Sequence, residues 1–592
     1  MSLFPLLSRL KKEGQLEEAL TTLRAALRRE EVAVEDYERA GRWLHKEYSG
    51  KATNVRVLGI CTTAWIPPVL TACGWGRGMP LRVSDGDYDN ILQELERGEA
   101  PDVMVFLPWT QRLLSGDDSQ AAIQAELGFW QVAWSRLRGA KLVQVGYDWM
   151  GPGPEGAALA GAPGGKIDRI RRMNAELRAR LPSGAAWVDL EQLSGEHGRK
   201  HVYDSRQYHW TKNPFSARGL WALGQQLTAA IRSVLTGPKK VLVLDLDNTV
   251  WGGVVGETGP MGISIRETPE GESYRAFQTF CKGLTKRGVL LAVASKNNAA
   301  DAKEPFIKNP DMVLKLEDFA GFEATWDPKA LSLRRLADQL RLGLDSFVFF
   351  DDNPAERELI RQHLPEVEVP EVPEDPSGYV RYLEEGMYFE ALSLTKEDRE
   401  RASQYQAEQA RESAAAAFDS LDGYLNSLEM KAEVRAVDED DLERVVQLLG
   451  KTNQFNLTTR RHSAEQVRAW MQDPACVALT VRVDDRFGGH GLVAVMLGVP
   501  DEDGALRVDT WLMSCRVIGR TVEQYCWLRF VAEARARGYQ RVRGEYLPTA
   551  KNAQVAPLFG ELGLPVAEER PDGSRLYVAE IEALPEVRTF VQ

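Results

Sequence analysis

Three apolar runs fix the kind of fold open to the middle of this chain: VLVLDLD at 241–247, VLLAVASKNN at 289–298 and SFVFFDDNP at 346–354. Each is only a few residues long, apolar at successive positions, and ends in carboxylates or small polar groups. A short continuous apolar run reads as a strand buried on both faces, the habit of parallel sheets. The polar helical stretches between the runs supply the crossovers that parallel strands need. An open α/β sheet presents its ligands at the carboxyl ends of its strands. The polar residues closing these runs are therefore the candidate site.

Asp245 and Asp247 in DLDNT suit phosphate-monoester chemistry. The first can attack phosphorus and form an aspartyl-phosphate, while the second protonates the leaving oxygen and then activates water. Carboxylate and phosphate repel each other, so a hard cation with oxygen ligands is required, and Mg²⁺ fits. Alone, a D-x-D-x-T pattern is weak. Ser295, closing the second run, can hydrogen-bond a phosphoryl oxygen. Lys329 in TWDPKALSLRRLADQL supplies positive charge to the transition state. Asp351 and Asp352, closing the third run, can complete the metal site. In motifs and order the set resembles the haloacid-dehalogenase superfamily. The resemblance implies Asp245 as nucleophile, Asp247 as acid/base, and Ser295 and Lys329 as phosphate contacts. It implies a metal held by Asp245, the backbone carbonyl of Asp247, and the acidic pair Asp351 and Asp352. Only about 45 residues separate Thr249 from Ser295, too few for a large cap domain. An uncapped site suits a phosphate carried on something large.

Towards the C-terminus, WLMSCRVIGRTVEQYCWLRFVAEARARG reads as strand, turn and amphipathic helix. Arg516, Gly519, Arg520 and Thr521 lie at the turn, in a pattern that resembles the pyrophosphate loop of the N-acyltransferase fold. There, backbone N–H groups and a helix N-terminus hold a phosphate-bearing pantetheine. Thr521 stands where Gly or Ala is usual, which puts close approach of a CoA pyrophosphate in doubt. Cys515 reads equally as a buried small hydrophobe and as a nucleophile whose thiol the neighbouring arginines and helix N-terminus acidify. KTNQFNLTTRR and YLPTAKNAQVAPLFGELG carry polar and basic groups, which by themselves read as solvated surface.

DLDNTVWGG, ASKNN, FVFFDDNPAERE, NQFNLTTRR, SCRVIGR and PTAKN together resemble the FkbH-like proteins over about residues 238–585. That resemblance implies an enzyme that takes 1,3-bisphosphoglycerate, removes its phosphates and delivers glyceryl to the phosphopantetheine arm of an acyl carrier protein in polyketide-type biosynthesis. Cys515 would form the thioester, and Arg516, Arg520, Arg460, Arg461 and Lys451 would meet the acidic carrier. A plain Mg²⁺-dependent phosphatase on a carrier-bound or other large phospho-substrate is the alternative.

Ahead of these motifs, NVRVLGI, PDVMVFLP, AKLVQVGYD and AAWVDLEQL alternate with helical stretches such as DYDNILQELERG and KIDRIRRMNAELRARL. The pattern over 54–235 resembles an SGNH-hydrolase-like domain. GICTTAW places Cys61, Thr62 and Thr63 where the serine block belongs, and Asp204 and His209 are five apart, so a non-catalytic scaffold or docking module is expected. The expected organisation is multidomain α/β: helices over 1–48, the SGNH-like domain over 54–235, a Rossmann-like phosphatase domain without large cap over 238–378, a helical connector over 379–428, and an α+β acyltransferase-like domain over 429–592.

Bulk properties narrow the class further. A chain of 592 residues is too long for one core. A net charge of −13 offers no global field for nucleic acid or anionic lipid. Six scattered cysteines, without CxxC spacing, make neither a zinc site nor a disulfide framework, which suits a reduced cytoplasm. The start of the chain lacks the charge order of a signal peptide, and no run of apolar residues is long enough to span a bilayer.

Overall fold

The computed structural model describes residues 3–592 apart from 116–118, 267, 391–410, 412–417, 419, 452–454, 502, 515–516 and 550–551. Two compact units are formed, Met1–Leu394 and Thr395–Gln592.

In the first unit, helices Leu3–Lys12, Leu16–Arg28 and Tyr37–Glu47 turn Leu7, Leu23, Leu27, Tyr37 and Leu44 into one core shared with the sheet that follows. That sheet is entirely parallel: β1 (Thr53–Gly59), β2 (Leu81–Asp85), β3 (Val103–Leu107), β4 (Lys141–Val145) and β5 (Ala186–Val188) lie in the order β2-β1-β3-β4-β5. Val55 pairs with Val83 on one side and Val103 on the other, so the three buried valines line one face of the sheet.

The second sheet of this unit has β6 (Val241–Leu244), β7 (Leu290–Ser295), β8 (Phe319–Ala324) and β9 (Phe347–Phe350) in the order β8-β7-β6-β9, all parallel. From β6 the chain steps outward to β7 and β8, then returns to β6's other side as β9. The order reverses at β6, and at such a switch point the flanking crossovers part and leave a crevice beyond the strand ends. Between β6 and β7 the described residues form a four-residue helix, Val255–Thr258, bridges from Asp247 to Trp251 and from Gly252 to Ser264, and the helix Pro269–Thr285. This last helix starts at a Thr268 cap with proline at its first position. It buries Tyr274, Phe277, Cys281 and Leu284, one face at three- and four-residue spacing. The stretch holds no cap domain. Helix Tyr379–Gly386, expected to open a connector, instead buries Tyr379 and Leu383 in the core of this second sheet. The packed body therefore extends past residue 378, while 391–410 of the expected connector lie outside the described residues.

The second unit carries a seven-stranded sheet. Its strands are β10 (Lys431–Ala436), β11 (Val477–Asp485), β12 (Gly488–Pro500), β13 (Leu506–Met513), β14 (Arg541–Tyr546), β15 (Val566–Glu569) and β16 (Arg575–Glu580), in the order β10-β11-β12-β13-β14-β16-β15. Every pairing is antiparallel except β13 with β14, which run parallel. That pairing covers only Leu506–Val508 against Val542–Gly544, after which the two strands part. Helix Val522–Ala536 packs on one face through Cys526, Trp527 and Phe530, while Leu442, Val445, Leu449 and Val467 cover the other. No helix among the described residues is long and apolar enough to cross a membrane.

Candidate phosphoryl-transfer centre and acyltransferase-type cleft

The strand ends meet as the sequence requires. Asp245 follows β6 directly, Asp351 and Asp352 follow β9, and β6 and β9 are hydrogen-bonded neighbours. Carboxylate oxygens of Asp245, Asp351 and Asp352 lie within 4.8 Å of one another. Lys329, at the first position of helix Lys329–Leu340, places its ammonium 3.0 Å from Asp245 Oδ1 and 2.5 Å from Asp351 Oδ2. Lys329 is buried, which by itself lowers an amine's pKa, yet the two carboxylates outweigh this and hold it firmly charged. Burial and the Asp245 charge push Asp351 up to about 7, and push Asp352 upward for the same reasons. Three crowded carboxylates share one ammonium, so an all-oxygen site with excess negative charge is left. Such a donor set fits Mg²⁺. Asp245 Oδ1, buried and with Lys329 as its charge partner, is an oxygen that a cation would satisfy further.

Asp247 stands apart from this group. Its Oδ1 accepts from Trp251 Nε1 (2.9 Å) and the Val255 amide (3.0 Å), and its Oδ2 from Asn297 Nδ2 (2.9 Å). Three donors thus fix this carboxylate apart from the Asp245–Asp351–Asp352 group. Thr249 Oγ1 donates to Asp352 Oδ1 (3.1 Å) and accepts from the Asp352 amide (3.2 Å), tying the two strand-end loops together. Ser295, buried at the end of β7, has Asn297 Nδ2 at 3.4 Å from its Oγ. Asn297, Trp251 and Arg357 escaped the sequence reading as site residues. Asn297 and Trp251 lie within quoted motifs, but nothing in their spacing reveals what they touch. Asn248 adopts φ 55°, turning the chain away after Asp247, and its carbonyl accepts from Tyr379 Oη at 3.0 Å.

In the second unit the described part of the turn expected to hold a pantetheine phosphate, Gly519 to Thr521, is internally engaged. Gly519 and Thr521 both have positive φ, 75° and 63°. The Gly519 amide donates to Oε1 of the buried Glu523 at 2.7 Å, so this backbone donor is already taken. Thr521 Oγ1 accepts from the Phe590 amide at 2.9 Å, and its carbonyl from Thr589 Oγ1 at 2.9 Å. Arg520 is half-buried and adds positive charge towards His490. Cys515 and Arg516 lie outside the described residues, as does Lys551. Where β13 and β14 part, residues 455–457 bridge them: Met513 N donates to Phe455 O (3.1 Å), and Leu547 N donates to Leu457 O (2.9 Å). Beside this bridge Arg460 reaches Asp509 (3.2 Å) and Glu545 (2.6 Å), and His462 Nε2 lies 2.8 Å from Asp509 Oδ2. Of NQFNLTTRR, residues 455–458 are buried, unlike the solvated surface its composition suggests.

Among the described residues, the positions expected to carry a hydrolase triad in the first sheet's domain do not assemble one. Cys61 is buried, which pushes its thiol up to about 12. Thr62 Oγ1 donates to the Thr211 carbonyl at 2.6 Å. Asp204 caps helix Ser205–Thr211 by accepting from Gln207 N, and His209 is exposed on that helix.

No family model and no curated protein matches the chain. Among solved structures it is similar to the N-terminal part of BF1531 from Bacteroides fragilis, which contains a phosphatase domain and was solved with Mg. Identity is 30% over 61% of this chain and 100% of that one, with a TM-score of 0.54. The GNAT domain of S. lividans PAT matches at 22% identity over 25% of this chain and 90% of its own, TM-score 0.22. A putative acetyltransferase from Salmonella typhimurium, YncA, solved with acetyl-CoA, matches at 13% identity over 26% and 95%, TM-score 0.21. Similar to the Bacteroides protein at 30% identity over the whole of that protein's solved part, the chain belongs to the FkbH-like family.

Proposed function

We propose that the chain loads a glyceryl unit from 1,3-bisphosphoglycerate onto the phosphopantetheine thiol of an acyl carrier protein. The observation that carries this is the buried Asp245–Asp351–Asp352 group with Lys329, at an uncapped strand-end crevice in a chain that also holds an acyltransferase-type cleft. The thiolate of Cys515 attacks the acyl-phosphate carbonyl, the C–O bond to phosphate breaks, and inorganic phosphate leaves. Asp245 then attacks the remaining phosphorus, with Lys329 and Ser295 on the phosphoryl oxygens. Asp247 gives its proton to the departing alcohol oxygen, then takes one from the water that hydrolyses the aspartyl-phosphate. Asp245, Asp351 and Asp352, with the Asp247 carbonyl, would hold Mg²⁺, which when bound would supply the positive charge that offsets the repulsion between nucleophile and phosphate. The carrier thiol finally displaces Cys515, whose thiolate is regenerated. Arg460, Arg461, Lys451, Arg516 and Arg520 offer the acidic carrier its complementary charge.

One observation favours the alternative, a phosphatase acting on a carrier-bound or other large substrate without acyl transfer. The Gly519 amide, which a bound phosphate would call on, already donates to Glu523, and residues 455–457 are hydrogen-bonded to Met513 and Leu547 where β13 and β14 part. Incubating the protein with 1,3-bisphosphoglycerate, Mg²⁺ and phosphopantetheinylated carrier separates the two. The first reading expects the carrier to gain a glyceryl mass, and Cys515→Ser to abolish both that gain and an acyl-enzyme adduct. No mass gain beside an active control enzyme overturns it.

A further inference from the structure

The Asp351–Asp352 loop is gripped from behind by a string of charged side chains that reaches into the N-terminal helices. Arg357, buried in helix Pro354–His363, donates from Nη1 to the carbonyl of Asp351 (2.8 Å) and to that of Asp352 (2.7 Å). Its Nη2 donates to Glu371 Oε2 at 3.1 Å. The other oxygen of Glu371 accepts from Arg361 Nη2 (2.8 Å) and from Nε of Arg28 (3.2 Å), the last residue of helix Leu16–Arg28. Arg28 also reaches Glu358 Oε2 at 3.4 Å. Burial would raise the Glu371 carboxyl, but Arg361, Arg357 and Arg28 outweigh it and hold it below its ordinary range. Glu371 is therefore a fixed anion whose main task is to aim Arg357.

We infer that Arg357, Glu371 and Arg28 are positioning residues for the metal site, and that the N-terminal helices set its affinity through them. The inference rests on Asp245, Asp351 and Asp352 holding Mg²⁺. Its physical content is preorganisation. Two successive peptide carbonyls locked on one guanidinium fix the directions in which the Asp351 and Asp352 side chains leave the backbone, so the cation orders less on arrival. The guanidinium's charge behind the loop also offsets part of the repulsion among the three carboxylates. Arg28 and Arg361 border a cavity of about 440 Å³ between the N-terminal helices and residues 365–371. The outer end of the string can therefore be altered without opening the apolar core.

Titration calorimetry of Mg²⁺ into the full chain tests this, beside Mg²⁺ activation of p-nitrophenyl phosphate hydrolysis. Outer partners of a metal ligand carry about tenfold or more in affinity, the loss expected for Arg357→Met and Glu371→Gln. Arg28→Gln, removing a half-exposed pair, should lose about two- to fivefold. The rate at saturating Mg²⁺ should stay close to wild type in Glu371→Gln and Arg28→Gln, a split that a general loss of folding does not produce. Should Arg357→Met fail to fold, Glu371→Gln, nearly isosteric, carries the test. Wild-type Mg²⁺ affinity in both folded Glu371→Gln and Arg28→Gln overturns the inference. No Mg²⁺ binding by the wild type overturns the metal site itself, and the inference with it.

Discussion

Replacing Lys329 by methionine keeps the stem and removes the one ammonium set between Asp245 and Asp351. Its Nζ lies 3.0 and 2.5 Å from their oxygens, and the side chain is 5% exposed. The variant leaves three carboxylates within 4.8 Å of one another with no cation among them. At that separation two unit charges repel by about 3–4 kcal/mol with an effective dielectric near 20. Breaking a buried ion pair by deleting one partner costs about 3–5 kcal/mol, and the two figures agree. Proton uptake limits the loss, because Asp351 already stands at about 7 and can become neutral. Metal-free Lys329→Met should therefore be less stable than wild type by about 3 kcal/mol or more near neutral pH. Mg²⁺ adds about 2.7 kcal/mol at a hundred times its Kd in any protein that binds it. The variant should gain more than the wild type at the same Mg²⁺ concentration, since its ligands lack a competing ammonium. Urea denaturation of the full chain with and without Mg²⁺, following the transition that Mg²⁺ shifts, reads both numbers. Phosphatase turnover should fall by about 10²–10³, as for loss of one transition-state charge contact. A metal-free stability within about 1 kcal/mol of wild type, together with an equal Mg²⁺ increment, would refute the account of Lys329 as charge compensator.

Other consequences follow from single contacts. In the second unit Asp485 is buried on Arg411 (2.6 Å) and His490 (3.1 Å), and these hold it well below the ordinary carboxylate range despite its burial. Its contribution is present above the unfolded value, about pH 4, and is lost as pH falls towards the folded one, so near-UV circular dichroism should show this unit loosening in acid. Asp485→Asn should cost about 3–5 kcal/mol at neutral pH; a flat acid profile identical in both proteins counts against the pairing. Glu523→Ala frees the Gly519 amide and should let the loop bind CoA measurably tighter by calorimetry; unchanged binding means the loop is no anion site. Trp326 is 67% exposed, its Nε1 donating to Asn298 Oδ1 at 3.0 Å, three residues before Lys329. Trp326→Ala should raise KM about tenfold for a carrier-linked phosphoacyl substrate, the worth of one covered aromatic face, while leaving p-nitrophenyl phosphate unaffected. Equal changes for both substrates would make it a structural residue.

What the sequence disclosed and what it hid divide along physical lines. β6, β7 and β9 are legible because a strand buried on both faces has no polar alternation to blur it. β2, LRVSD, is a half-exposed edge, and β8, FAGFEA, contains Gly321, where a Cβ would meet Leu336 Cδ2 at 2.5 Å. Both lack the apolar run that marks the others. DYDNILQELERG promises a longer helix than Ile91–Glu94, the four residues that form. Arg56 Nη1 takes the carbonyls of Glu94 (3.0 Å) and Arg97 (3.2 Å), and a tertiary contact ends what local propensity would continue.

The same division runs through the two sites. Asp245, Lys329, Asp351 and Asp352 announce themselves by standing at the ends of strands or the start of a helix, so topology alone brings them together. Arg357 is one arginine among many until its distance to two carbonyls is known, and Glu371 and Arg28 meet across 343 residues. The second unit makes the point in reverse. Its loop pattern from Arg516 to Thr521 is readable, yet the Glu523 carboxylate on the Gly519 amide and the tail residues on Thr521, 68 and 69 positions away, decide whether the loop receives a phosphate. A motif fixes which backbone groups point outward; only packing fixes whether they are already occupied. In this chain three carboxylates and one ammonium meet at neighbouring strand ends, whereas the Gly519 amide is already taken by Glu523.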